Sequence, residues 1–163
     1  MPNWAEGQLK IRGKQEDIMN FIKEGLELSL IVPNAEQELQ PKFYHNNIYG
    51  YSGVESTMLD LEYWFKGSKR MFVVLDEVNT EFDDEDNDKI IIKSFMCKQA
   101  WGIDAQFLGE MSVKYNVDFK IYAFERGEQY NQDIEIVNGE IVKNKLIRFK
   151  DYTWSCINNS LGG

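Results

Sequence analysis

Nucleophilic, thiol and metal chemistry all draw on a short list of side chains, and this chain is sparing with them: it has one histidine and two cysteines. His45 would have to serve alone as the base of a triad, the partner of an activated thiol or an imidazole ligand of zinc, and each arrangement needs further positioned groups. It sits among Tyr44, Asn46, Asn47, Tyr49 and Tyr51 with no catalytic motif around it, and reads as a solvated or capping imidazole. Cys97 and Cys156 are too few for an iron–sulfur cluster or an all-cysteine zinc site, and read as free, buried thiols.

The acidic run Glu81-Phe82-Asp83-Asp84-Glu85-Asp86-Asn87-Asp88 invites a calcium reading because Asp84, Asp86 and Asp88 alternate. An EF-hand loop requires glycine at its sixth position and glutamate at its twelfth; counted from Asp84 these are Lys89 and Phe95. The run reads instead as a solvated turn that guards neighbouring strands against aggregation. Acid–base carboxylates could be drawn from Asp76, Glu77 and Glu110, but sequence spacing places no two of them at a catalytic separation. No catalytic residue, metal ligand or cofactor is assigned.

What remains is aromatic. Trp4, Trp64, Trp101 and Trp154 are large apolar anchors with one donor each. Tyr44, His45, Tyr49 and Tyr51 form a polar–aromatic loop that could line a pocket. Trp4, Trp101, Tyr44, His45, Tyr49 and Tyr51 are therefore the candidate binding or packing surface.

The elements that must position these residues follow from periodicity. Leu9 and Ile11 alternate with polar neighbours in a first strand ended by Gly13, and Ile18, Phe21, Ile22 and Leu26 form a helical stripe behind Glu16 and Asp17. Residues 29–51 read as an irregular insertion punctuated by Pro33 and Pro41. Ser52 and Glu55 have capping-box spacing, and Val54, Met58, Leu61 and Phe65 suggest a second helix ending at Gly67. Residues 71–78 and 89–97 read as antiparallel strands joined by the acidic turn. Asp104 opens a helix striped by Phe107, Leu108 and Met111, Asn116 caps it, and a strand follows over 117–126. Asn138-Gly139 between alternating runs marks a type I′ hairpin, with a further strand over 146–152 and a frayed tail over 158–163.

The order β-α-(insert)-β-β-α-β predicts one domain over 1–163. Its fold class is α+β, a ferredoxin-like βαββαβ sandwich with strand order 4-1-3-2 and both long helices on one face. A helical insertion over about 29–68 and a C-terminal β-hairpin extension over about 127–154 complete it. In that order the start of strand one lies beside the end of strand three. Trp4 and Trp101 should then share a cluster closing the core, with Trp101→Ala costing about 3–5 kcal/mol.

The opening MPNWAEGQLKIRGKQEDIMNFI resembles YubB-type ferredoxin-like proteins of bacteria, plasmids and phages, which begin with a Met-x-Asn-Trp-Cys-Glu-Asn-like segment. Asn3, Trp4 and Glu6 match it, whereas Ala5 and Gly7 replace the cysteine and the last asparagine. WFKGSKR is similar to the family's Trp-Gly-Thr-Lys-Trp segment through Gly67 and Lys69. KSFMCKQAWGID is similar to its Thr-Ala-Trp-Ser-Pro-Pro segment through Ala100 and Trp101, without the prolines. The resemblance spans most of residues 1–140 and implies an intracellular bacterial or mobile-element protein with no activity to carry over.

With 43% hydrophobic residues the chain can bury a real core, and a net charge of −9 repels phosphate backbones, so no nucleic-acid partner is expected. No apolar run is long enough to span a membrane, and the N-terminus lacks an apolar signal core, so a cytoplasmic protein is expected. The leading function is a small acidic protein–protein interaction module of a mobile element. Mimicry of DNA charge is permitted by the acidity but not singled out by it. The alternatives are a small-molecule binder or enzyme with its pocket between the sheet and the 29–51 insertion, and a structural subunit that dimerises through sheet edges or faces. Monomer and homodimer both remain open.

Overall fold

A computed structural model describes residues 2–29, 40–83 and 85–163. In chain order its elements are β1 (Trp4–Lys14), α1 (Gln15–Gly25), β2 (Leu26–Leu28), β3 (Phe43–Asn46), β4 (Tyr51–Val54), a 3-10 turn (Ser56–Met58) and β5 (Glu62–Phe65). There follow β6 (Met71–Val74), α2 (Glu77–Thr80), β7 (Glu81–Asp83), β8 (Ile90–Ala100), α3 (Ala105–Tyr115), β9 (Val117–Glu125), β10 (Tyr130–Val137), β11 (Glu140–Arg148) and α4 (Tyr152–Ser155).

β1 alternates strictly. Ala5, Gly7, Leu9 and Ile11 are buried on one face, while Glu6, Gln8, Lys10 and Arg12 line the other. It pairs antiparallel with β8 from Trp4↔Ala100 to Lys14↔Ile90, and with β9 from Glu6↔Phe124 to Gly13↔Val117. Outward from this centre the sheet grows to eight strands in the order β11-β10-β9-β1-β8-β6-β5-β2, beside a three-stranded sheet β3-β4-β7. The segments read as strands four, one, three and two do run β9-β1-β8-β6, and β6 and β8 are antiparallel neighbours.

The fold class nevertheless differs from the ferredoxin-like sandwich. Among the described residues strand prevails, 46% against 22% helix, in an eight-stranded and a three-stranded sheet with four helices, which is not a βαββαβ unit. The helix anticipated over 52–67 is β4, a 3-10 turn and β5. Its apolar spacing fits either period when runs are short. The aromatic Tyr63-Trp64-Phe65 favours the strand, where Tyr63 and Phe65 turn inward and Trp64 outward. Asp60 at φ 58° breaks any helix just before it. Of the 29–51 insertion, the described part supplies β3 and the β3–β4 turn, and residues 30–39 lie outside the described residues. Residues 71–78 are strand only to Val74, because Asp76 accepts from Asn79 N at 2.9 Å and starts α2. The strand expected at 146–152 is the end of β11, and Tyr152 opens α4. The tail is not frayed: Gly163 N donates to Trp4 O at 2.9 Å and Gly162 N to Glu6 Oε2 at 3.2 Å.

Both long helices pack on the buried face, and Phe21 ties them together. Its ring meets Phe65 at 5.4 Å, Tyr115 at 5.5 Å and Phe119 at 5.5 Å, joining α1, β5, α3 and β9. α3 is capped as its sequence promises: Asp104 accepts from Phe107 N at 3.0 Å, and Asn116 adopts φ 55°. α1 has no side-chain cap. Its first amides reach the acidic segment instead, Gln15 N to Lys89 O at 2.9 Å and Glu16 N to Asn87 O at 3.2 Å. The Gln15 side chain pairs with the backbone of Asp83 through both its amide atoms, and Lys14 bonds Asp88 at 2.6 Å. The acidic run, whose Asp84 lies outside the described residues, is thus partly strand and partly the cap of α1.

The tightest point of the sheet is Gly7, where a Cβ would lie 2.2 Å from Tyr122 O. Gly7→Ala is expected to cost about 1–3 kcal/mol by overpacking. Phe21→Ala is expected to cost about 3–5 kcal/mol by leaving a cavity between the helices. Urea melts of both variants check this, read as a lowered midpoint at unchanged slope.

Candidate binding surface

Helices cover one face of the large sheet, so the residues of opposite parity on each strand face outward. On β5, β6, β1 and β8 these include Trp64, Phe72, Trp4 and Lys98, brought side by side by the registers Trp64↔Phe72, Phe72↔Lys98 and Trp4↔Ala100. Trp64 meets Phe72 edge-on at 4.6 Å, and Phe72 meets Trp4 at 5.6 Å. The Lys98 ammonium lies 5.4 Å from the Trp4 ring and 5.7 Å from Phe72, and it also bonds Glu62. Arg70 then carries the row past the end of the sheet, with its guanidinium 5.7 Å from Trp4 and 5.8 Å from Trp101.

Trp4 and Trp101 do meet at one end of the sheet, through Arg70, but not as a core cluster. Trp101 is 67% exposed. Its φ of 63° makes it a left-handed turn residue, and Arg70 at φ 57° is another. The turn at Trp101, held by its N–H on Asn3 O at 2.8 Å, directs the indole away from the core. Polar side chains tie down the backbone there instead: Gln99 accepts from Asp104 N at 2.8 Å, and Gln132 accepts from Ile103 N at 2.7 Å and donates to Ile103 O at 3.2 Å. The stability cost expected for removing Trp101 therefore does not apply.

The same face continues through Met96 into a trough of about 480 Å³ lined by Gln8, Lys10, Lys120, Tyr122, Phe124 and the tail residues Asn158 and Leu161. The tail is anchored beneath: Tyr152 OH donates to buried Asn131 Oδ1 at 2.9 Å, and Cys156 lies beside the same amide. Burial raises the Tyr152 phenol pKa. Sequence reasoning missed Phe72, Arg70, Lys98 and the tail wall. The alternation of β6 and β8 could have offered the first and third; no local signal marks the others.

Tyr44, His45, Tyr49 and Tyr51 lie elsewhere, on or beside the β3–β4 hairpin of the small sheet. Tyr44 and Tyr51 meet at 6.0 Å, Tyr49 and Tyr51 stack at 6.4 Å, and His45 Nδ1 lies 3.2 Å from Ser52 Oγ. Burial and the Tyr51 hydroxyl raise the Tyr44 pKa. Tyr49 and Tyr51 border an open, acidic hollow with Glu81, Asp83 and Glu85 rather than a pocket against the large sheet. Among the described residues no group of histidine, cysteine, aspartate or glutamate could hold a metal ion. Among them, too, no helix is long and apolar enough to cross a membrane. No protein-family model, curated protein or solved structure matches the chain, so the resemblance to YubB-type proteins rests on its motifs alone.

Two outcomes follow from this geometry. Trp101→Ala should melt within about 0.5 kcal/mol of the parent, as surface substitutions do. Cys97 and Cys156 are both buried, and burial raises the Cys97 pKa, so neither should react with an aromatic disulfide reagent until the protein is unfolded.

Proposed function

We propose that the chain is a cytoplasmic, non-catalytic protein-binding module whose outward sheet face receives a segment of another protein. The observation that carries this is the row Trp64, Trp4 and Trp101, seated over the buried Phe72, interleaved with Lys98 and Arg70 and continuous with the trough beside the tail. Tryptophan, tyrosine and arginine are the side chains that dominate binding energy at protein interfaces. Trp101 is a bulky residue held in a left-handed turn and left exposed, which costs free energy that folding alone does not explain.

The chemistry of the face selects the partner. Arg12–Asp118, Lys98–Glu62, Lys120–Glu135 and Lys143–Asp133 are paired within it, whereas Lys10 and Arg70 have no carboxylate partner among the described residues. A segment with aromatic or aliphatic anchors and one or two carboxylates fits these rings and cations. The −9 chain as a whole disfavours a densely charged polyanion. Two buried free thiols accord with a cytoplasmic setting.

Selection of displayed random peptides against the folded protein tests the reading. Binders should be enriched in apolar anchors with acidic neighbours, and Trp101→Ala and Arg70→Ala should each weaken them at least tenfold without moving the melting transition. Peptides that bind both variants as well as the parent would overturn the reading. So would selected peptides that map to Tyr49 and Tyr51. A single-stranded oligonucleotide that bound this face with a steep salt dependence would replace the protein partner with a nucleic acid.

A further inference from the structure

β11 is the outermost strand of the large sheet, paired on one side with β10 and open on the other. An edge of nine residues is long, and such edges are normally shortened, broken by proline or covered. β11 has no proline, and Ile141, Val142 and Leu146 are 42%, 55% and 52% exposed. Its lysines are the usual guard: Lys145 is exposed and keeps that role, whereas Lys143 is engaged by its own sheet, 3.2 Å from Asp133 and 4.0 Å from Glu135.

The strand reads Glu-Ile-Val-Lys-Asn-Lys-Leu-Ile-Arg, and reversed it nearly repeats its own chemistry. Two copies laid antiparallel about a two-fold axis through Asn144 set Val142 against Leu146, Lys143 against Lys145 and Asn144 against itself. Farther out, Ile141 faces Ile147 and Glu140 faces Arg148. We propose that β11 is a self-complementary edge through which two copies of this chain pair, joining their large sheets into one. Such an isologous contact closes as a dimer.

The apolar and amide pairs have a physical basis. The exposed Val142 and Leu146 side chains cover one another. Facing asparagines can exchange donor and acceptor. The lysines oppose the pairing: Lys143 lies 3.2 Å from Asp133 and 4.0 Å from Glu135, but Glu135 also bonds Lys120 and Lys145 has no ion pair among the described residues, so the Lys145 charges at the axis depend on screening by salt. Val142 is the extra residue of the bulge in the β10–β11 ladder and has no partner in β10, so regular alternation runs from Lys143 onward, and the Val142–Leu146 contact rests on the exposure of both side chains. β11 carries three basic residues and one acidic one in a chain of net charge −9, so it is a place where two acidic copies can approach. Overall repulsion between the copies means that added salt should tighten the dimer, whereas an acidic foreign strand on the same edge would be weakened by it.

Light scattering on a sizing column should show a mass of twice 19.1 kDa, with the dimer fraction rising with concentration and salt. The double variant Val142→Lys, Leu146→Lys should be monomeric with an unchanged melting transition. Asn144→Cys should form a disulfide-linked dimer on mild oxidation, because facing residues of an antiparallel pair have Cα atoms about 4.5–5.5 Å apart. Val142→Cys, which faces Leu146 rather than itself, should crosslink far more slowly. A monomeric parent at all concentrations, a dimer indifferent to the double variant, or equal crosslinking of the two cysteine variants would each overturn the proposal. Trp101→Ala should leave the dimer intact, which separates this edge from the outward face.

Discussion

The close backbone approach at Gly7 is the constraint on which the rest of the structure depends. β1 is hydrogen-bonded on both sides, to β8 and β9, and at Gly7 the neighbouring Tyr122 carbonyl occupies the space a Cβ would need. β8 and β9 are brought to β1 by α3, which connects them, and α1 leaves β1 toward the other half of the sheet. The large sheet grows outward on both sides from this three-strand centre. The Phe21 cluster follows from it, because α1 and α3 can only meet over the strands that flank β1.

A sheet with helices on one face must present its other face to something. Here that face is divided between the chain's own tail and solvent. Tyr152, Cys156 and Asn131 bury one corner, and Gly162 and Gly163 return to Trp4 and Glu6. Beside these contacts Trp64, Trp4 and Trp101 share a surface over the buried Phe72, with cations against the rings of Trp4, Phe72 and Trp101. Ion pairs on the exposed face contribute little individually to stability. Their effect is to neutralise much of the charge there, so that the apolar rings and the cations without a carboxylate partner among the described residues, Lys10 and Arg70 among them, set the surface's selectivity.

The acidic segment shows how charge and backbone needs are met together. α1 begins without a capping side chain, and the carbonyls of Asn87 and Lys89 supply what its first amides lack. Asp88 is held below the usual carboxylate range by its hydrogen bond to Lys14, and Lys14 is raised in turn. This pair favours the folded state above the ordinary aspartate pKa and loses its contribution as pH falls through the lowered one. Both groups are fully exposed, so the effect on folding is slight.

Local rules in the sequence determined a good deal. The β1 alternation, the Asp104 and Asn116 caps of α3 and the Asn138-Gly139 turn each depend on residues within one or two turns of themselves, and each stands where its pattern put it; the α1 stripe holds through Ile22, but Leu26, read as its last member, lies in β2 because α1 ends at Gly25. The two-residue period of β8 put Ile90, Ile92 and Met96 on one face, but apolar residues on both faces imply cover on both, and these three are exposed. What only the tertiary structure decided lies where short apolar runs satisfy two periods at once, or where a residue's environment is set by distant chain. Glu62–Phe65, read as the end of a helix, became a strand because β2 and β6 offered it edges to pair with. The tail became a wall because Trp4 and Glu6 accept its last amides. Trp101 became a surface residue because its φ turns positive between Ala100 and Gly102, a backbone sign that no hydrophobicity pattern encodes. The row joining it to Trp4, Phe72 and Trp64 exists because three antiparallel registers bring four separate segments to one face, and registers are settled by the whole sheet.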